Sequence, residues 1–115
     1  MTLVALALLT LAALGGLTMA VIRLGWHANP PNWLAILHGL LAAAALCLLL
    51  YAYTAGVAPA AAGWALLIFL LAAMGGAYLN LRYHARAVLL PKSIMAVHAA
   101  VAVTGYVVLL MAVFA

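Results

Sequence analysis

Four apolar stretches, each about as long as a membrane-spanning helix, dominate this chain of 115 residues and limit what it can fold into. A helix needs about 20 apolar residues to cross the ~30 Å hydrocarbon layer of a bilayer. The stretches cover roughly 3–24, 33–54, 63–82 and 90–114. In lipid, the hydrogen bonds of backbone N–H and C=O groups must be made within the segment, which favours helices. The alternation of polar and apolar residues that is typical of the strands of a membrane barrel is lacking. The sequence therefore predicts an all-α integral membrane four-helix bundle, a single domain over residues 1–115.

Charged side chains are almost absent, so the surface of such a bundle must face lipid. Only 3% of the residues are charged, and neither Asp nor Glu occurs, whereas about a quarter of a soluble domain is charged. We expect the lipid bilayer to be the main partner and expect no nucleic-acid partner. The first stretch lacks the basic segment of a signal peptide and is long enough to span, so we expect a retained helix. Without carboxylates for a proton relay, an ion transporter is disfavoured.

The basic residues all fall on one side of the predicted bundle. With four spans, the first and third connections, near 25–32 and 83–90, share a face of the membrane. The four basic residues lie at that face: Arg23, Arg82, Arg86 and Lys92. An excess of Lys and Arg marks the cytoplasmic side. We therefore expect both termini to be extracytoplasmic, in what we take to be a bacterial inner membrane.

Four histidines converge on the same half of the bundle. His27 and His84 close helices 1 and 3 at the basic face, whereas His38 and His98 lie inside helices 2 and 4. Ionisable residues inside transmembrane segments are rare and usually functional. The inner pair is therefore the strongest candidate for a binding site.

The two halves of the chain look like a repeat. "AALGGLTMAVIR" (12–23) matches "AAMGGAYLNLR" (72–82), and each is followed by an interfacial histidine, a proline-containing loop and a histidine inside the next helix. We therefore expect two repeated transmembrane hairpins, related by an axis along the membrane normal.

Three interpretations of the histidines are compatible with the pattern. They can be interface or helix-packing residues. They can form a copper or zinc site, because neutral imidazole suits both metals, although the inner and outer pairs are separated along the bundle. They can also ligate haem iron. In an up-down bundle, helices 2 and 4 lie on a diagonal of about 14 Å, a gap that two inward imidazoles and one planar macrocycle can fill.

Other residues fit the haem interpretation. Small residues on helices 1 and 3 would leave room for the edges of a macrocycle, and these are Gly15, Gly16, Gly75 and Gly76. Arg23, Arg82, Arg86 and Lys92 would pair with the haem propionates, although anionic lipid headgroups would serve as well. His27 and His84 would lie at equal height on the other diagonal. They would ligate a second haem, or act as propionate or quinone partners beside a single one. The repeat favours two haems.

The chain resembles the small four-helix membrane b-type cytochromes, which exchange electrons with quinones, ascorbate or superoxide. The resemblance lies in the helix count and in "LHGLLAAAALCLL" around His38 and "AVHAAVAVTGYVV" around His98. It implies a haem b electron carrier or oxidoreductase component that exchanges with a redox partner, with quinone a candidate. The chain departs from that group because all its histidines lie near one face. The alternative from another class is a small non-catalytic membrane subunit, forming a homodimer or part of a larger complex.

Overall fold

The computed structural model describes residues Met1 to Ala115 as four long helices joined by short connections. The helices are α1 Thr2–Trp26, α2 Asn32–Thr54, α3 Ala62–Arg82 and α4 Lys92–Phe114, with a short 3₁₀ helix at His84–Arg86. Each predicted helix is present, and no end differs from its predicted position by more than two residues. The all-α prediction is therefore confirmed.

The dimensions and the surface are those of a membrane bundle. The molecule measures 43 × 20 × 19 Å, and a bilayer with its headgroups is about 40–45 Å thick. All four helices are long and apolar enough to cross it. Only 20 of the 115 residues are buried, and large apolar side chains such as Leu17, Leu40 and Val103 lie exposed on the outside. Lipid rather than protein therefore covers most of the apolar surface.

The helices run up and down, and the two hairpins are the tightest units. α1 packs along α2, and α3 packs along α4, while more limited contacts join α2 to α3 and α1 to α4. Helices α1 and α3 therefore take one diagonal and α2 and α4 the other, as predicted. We call the end with the connections 27–31 and 83–91 the basic end. The end with both termini and the connection 55–61 is the terminal end.

The hairpins repeat at a spacing of sixty residues. The buried residues Ala5, Leu6, Leu9 and Ala12 of α1 recur in α3 as Ala65, Leu66, Phe69 and Ala72. In the second helix of each hairpin, Ala45 and Leu49 recur as Gly105 and Leu109. Pro31 and Pro91 precede α2 and α4 in the same extended conformation. The prediction of two repeated hairpins is confirmed.

This register corrects the predicted equivalence of the basic-end residues. His27 has a left-handed backbone with φ 50°, and the residue with the matching conformation, φ 55°, is Ala87 rather than His84. At the same spacing, Arg23 corresponds to Tyr83 and not to Arg82. The repeat therefore relates His38 to His98 but does not relate His27 to His84.

A closely packed apolar core fills the terminal end. It is a single cluster of ten buried residues: Ala5, Leu6, Leu9, Ala45, Leu49, Ala62, Ala65, Leu66, Phe69 and Leu109. The hydroxyl of Tyr106 donates to Oγ1 of Thr10 at 2.6 Å and ties α4 to α1 beside this core; Thr10 in turn donates to the Leu6 carbonyl. The other half of the bundle has no comparable apolar cluster, and its centre holds the inner histidines.

Candidate functional site

The inner histidines meet across the α2–α4 diagonal. His38 and His98 are each the seventh residue of their helix, so both lie about 9 Å along the helix from the basic end. Their ring centroids are 6.3 Å apart, and the ring planes are inclined at 79°. We call these two rings the imidazole pair. The equal depth that the sequence predicted is present, and it follows from the sixty-residue repeat.

Each ring of the imidazole pair is held by a backbone carbonyl of the preceding helix. The Nδ1–H of His38 donates to the Ala12 carbonyl at 2.7 Å, and that of His98 donates to the Ala72 carbonyl at 2.8 Å. Because a carbonyl can only accept, Nδ1 carries the proton in both rings. In the neutral form of each ring, this bond puts the lone pair on Nε2, the arrangement in which an imidazole binds a metal.

The glycine pair of α1 explains how an imidazole reaches a helix carbonyl. The carbonyl of Ala12 points along the helix towards the side chains three and four residues later, and those positions are Gly15 and Gly16. A Cβ on Gly16 would lie 3.0 Å from Cε1 of His38 and 3.4 Å from its Nδ1, whereas one on Gly15 would lie 3.8 Å from Cβ of His38. The missing side chain at Gly16 thus admits the ring.

The second hairpin uses the same device. A Cβ on Gly76 would lie 3.0 Å from Cε1 of His98, and one on Gly75 would lie 3.6 Å from Nδ1. The sequence predicted that the glycines leave room for a macrocycle edge. The groups that they admit in the structure are the imidazole rings themselves.

Sequence reasoning missed the two alanine carbonyls. The signal was present, because an alanine precedes the second glycine by four residues in both "AALGG" and "AAMGG", and a histidine follows each alanine by 26 residues. A side-chain pattern does not reveal a backbone acceptor, however, unless the packing of the two helices is known.

The outer histidines do not form a second pair of the same kind. His84 is buried, with 7% of its surface exposed, and its Nε2–H donates to the Pro30 carbonyl at 2.7 Å. His27 is exposed at the end of α1. The predicted symmetry of these two residues is therefore wrong, because His84 lies in the 3₁₀ helix beyond α3 whereas His27 ends α1 directly.

The four basic residues also differ from one another. Arg23 is only 5% exposed, whereas Arg82, Arg86 and Lys92 are exposed. The Arg82 guanidinium lies 5.5 Å from the centroid of the Tyr83 ring, within range of a cation–π interaction. Nε of Arg23 donates to the Leu90 carbonyl at 2.8 Å. Of the four basic residues, only Arg23 is thus buried within the bundle.

Hydrogen bonds join the two connections at the basic end. The side chain of Asn29 donates to the Val88 carbonyl at 2.8 Å and accepts from the Leu90 amide at 2.9 Å. Together with the bonds from Arg23 and His84, these contacts link the hairpins where the apolar core is absent. A shallow pocket of about 410 Å³ opens between the connections and is lined by Asn29, Pro30, Pro31, Asn32, His84, Ala87 and Leu89.

The structure does not bring the four histidines together as a copper or zinc site would require. No group of three or more His, Cys, Asp or Glu side chains lies close enough to hold a metal ion. The single thiol, Cys47, is exposed on α2. The only histidines in ring-to-ring contact are His38 and His98.

Comparison with known proteins does not assign a family to this arrangement. No family model, curated protein or solved structure matches the chain. What is known of the site therefore comes from its own geometry: two imidazoles at one level of the bundle, each bonded through Nδ1 to a backbone carbonyl.

Proposed function

We propose that this protein is a membrane electron carrier in which His38 and His98 ligate one haem b iron from opposite sides. Bound haem supplies a one-electron couple, which the side chains of this chain lack. The remaining contribution of the protein is to hold two imidazoles at one depth, each with Nδ1 bonded to a backbone carbonyl. The observation that carries the proposal is the geometry of the imidazole pair.

The separation of the rings equals that of two imidazoles whose Nε2 atoms face one metal ion, and it also lies in the range of an edge-to-face ring pair. If two imidazoles bind one ion from opposite sides, their ring centres are about 6.4 Å apart, because each metal–nitrogen bond is about 2.0–2.1 Å and Nε2 lies about 1.1 Å from the ring centre. The separation here is 6.3 Å. His38 and His98 would hold the haem iron through Nε2.

The hydrogen bonds to the alanine carbonyls support the same proposal. A ligating histidine almost always donates its other ring N–H to a carboxylate, a carbonyl or water, and this partner sets the tautomer and the ring orientation. His38 and His98 meet this condition with Ala12 and Ala72.

The proposal assigns one haem rather than two. Nε2 of His84 already donates to the Pro30 carbonyl, and His27 is exposed. A second haem bound by His27 and His84 stays a prediction. The repeat no longer supports it, because these two residues are not equivalent.

We place the electron exchange at the basic end, and we take this end to be cytoplasmic by the positive-inside rule. The imidazole pair lies in that half, while the apolar core separates it from the terminal end. The shallow pocket between the connections has His84 in its wall. A quinone is our candidate for its occupant, and the bacterial inner membrane is the proposed location.

The test is an absorption spectrum of the purified protein in detergent, oxidised and then reduced, with haem counted per chain. We expect a sharp reduced α-band typical of six-coordinate b haem and one haem per chain. His38→Ala and His98→Ala should each lose this spectrum. His27→Ala, a matched histidine on an exposed site, should keep it. The absence of a Soret band after expression with ample haem would overturn the proposal and favour the non-catalytic subunit.

A further inference from the structure

Arg23 is a buried cation with an incomplete set of partners. Its single hydrogen bond to the protein joins Nε to the Leu90 carbonyl. Nη1 is sealed from solvent and donates to no acceptor. The other terminal nitrogen, Nη2, also makes no hydrogen bond to the protein but is not sealed from solvent in this way. A buried polar atom without an acceptor costs free energy, and the cost rises when the group is charged.

No group in the chain neutralises this charge. The protein has no Asp or Glu, and its formal net charge is +4. The C-terminal ends of α1 and α3 each carry a partial negative charge of about half an elementary charge at this end, but α2 and α4 begin there and offset them with their positive termini. Neither of these termini has an acidic residue in its first turn or a side-chain cap. A bound water would accept a hydrogen bond from Nη1 without offsetting the charge.

We propose that Arg23 holds an oxyanion, a carboxylate or a phosphate group, at the basic end of the bundle. A guanidinium binds both anions through charge-assisted hydrogen bonds, and Nη2 is the donor of Arg23 that is neither bonded to the protein nor sealed. Arg82, Arg86 and Lys92 are exposed, so they can stay hydrated and need no such partner. The sequence predicted that four basic residues bind a carboxylate or a phosphate group. The structure singles out Arg23 among them, because only Arg23 is buried.

The oxyanion has two sources within reach. Arg23 lies in the last turn of α1, at headgroup depth, so the phosphate of an anionic phospholipid can approach it. It also lies seven residues from Gly16, or about 10 Å along the helix from the level of the imidazole pair. A haem carboxylate is the second source, and this assignment rests on the proposed function. The lipid assignment does not.

The experiment has one arm for each source. In the first arm, protein purified without haem is titrated with haem and with haem dimethyl ester, in which both carboxylates are blocked. In the second arm, the thermal unfolding midpoint is compared in phosphatidylglycerol and in phosphatidylcholine vesicles. The variants are Arg23→Gln, Arg23→Lys, which keeps the charge but loses the guanidinium, and Arg86→Gln, the matched loss of an exposed charge.

If Arg23 binds a haem carboxylate, we expect the unaltered protein to bind haem about ten- to a hundredfold tighter than the dimethyl ester. Arg23→Gln should lose this preference, Arg23→Lys should keep part of it, and Arg86→Gln should keep all of it. A lipid phosphate predicts no preference between haem and ester, but a higher midpoint in phosphatidylglycerol, which Arg23→Gln loses and Arg86→Gln keeps.

The proposal is overturned if the unaltered protein shows neither the ester preference nor the lipid shift, a result that needs no variant to fold. It is also overturned if Arg23→Gln matches Arg86→Gln in both arms. If haem still binds through His38 and His98 in that case, the proposed function stands alone. If no haem binds but the lipid arm depends on Arg23, the proposed function fails and the oxyanion site stands.

Discussion

Replacement of Gly16 by alanine probes the link between the glycine pairs and the histidines. The new Cβ would lie 3.0 Å from Cε1 of His38 and 3.4 Å from Nδ1. The ring cannot retreat freely, because the same Nδ1 is bonded to the Ala12 carbonyl at 2.7 Å. Relief of the close contact therefore weakens that bond. Gly15 is the matched control, since its Cβ would meet His38 only at 3.8 Å, an ordinary contact.

The magnitudes separate the two variants. Alanine in place of glycine inside a helix gains about 0.5–1 kcal/mol. At position 16, the loss of the hydrogen bond costs about 0.5–1.5 kcal/mol, and the forced contact costs about 1–3 kcal/mol more. We expect Gly16→Ala to destabilise the protein by about 1–3 kcal/mol, while Gly15→Ala is neutral or stabilising.

Thermal unfolding of the haem-free protein in detergent measures this difference independently of any cofactor. A haem titration then tests whether the misplaced ring also weakens binding, by about 5- to 150-fold for the same free energy. The second hairpin repeats the comparison, with Gly76→Ala expected to be disruptive and Gly75→Ala tolerated. If Gly16→Ala and Gly15→Ala shift the midpoint equally, the glycine does not serve to admit the ring.

The remaining predictions concern the two ends of the bundle. Asn29→Ala removes both bonds to the opposite connection and should lower stability by about 1–3 kcal/mol in the same unfolding assay; Asn32→Ala, on an exposed side chain, should have little effect. A double-mutant cycle of Thr10→Val and Tyr106→Phe should give a coupling of about 0.6 kcal/mol, typical of hydrogen bonds between membrane helices, and a coupling of zero would contradict the bond. Leu109→Ala opens a cavity in the core and should cost about 2–5 kcal/mol. Leu109 lies in the terminal half of the bundle, away from the imidazole pair. The reduced α-band of the haem-loaded variant should therefore keep its position, and a shift of that band would show that the core and the site are not independent.

The candidate site shows how far a pattern of residues can lead. His38 and His98 could be chosen in advance, because ionisable residues in apolar spans are rare and these two share a register. The glycine pairs could also be chosen, but their partner was misjudged, since a gap in a helix surface does not indicate which group enters it. The equivalence of His27 and His84 was wrong because α3 ends earlier than α1 in the repeat and a 3₁₀ helix follows it.

The sequence by itself determined that this protein is a bundle of four membrane-spanning helices with its basic residues and histidines at one end. Those properties depend on the length, polarity and order of segments, which are local. Only the tertiary structure decided that Ala12 and Ala72 hold the imidazoles, that Asn29 joins the connections, and that Arg23 alone among the basic residues is buried. Each of these depends on a backbone carbonyl or on burial by a distant segment, and such contacts exist only once the helices have packed.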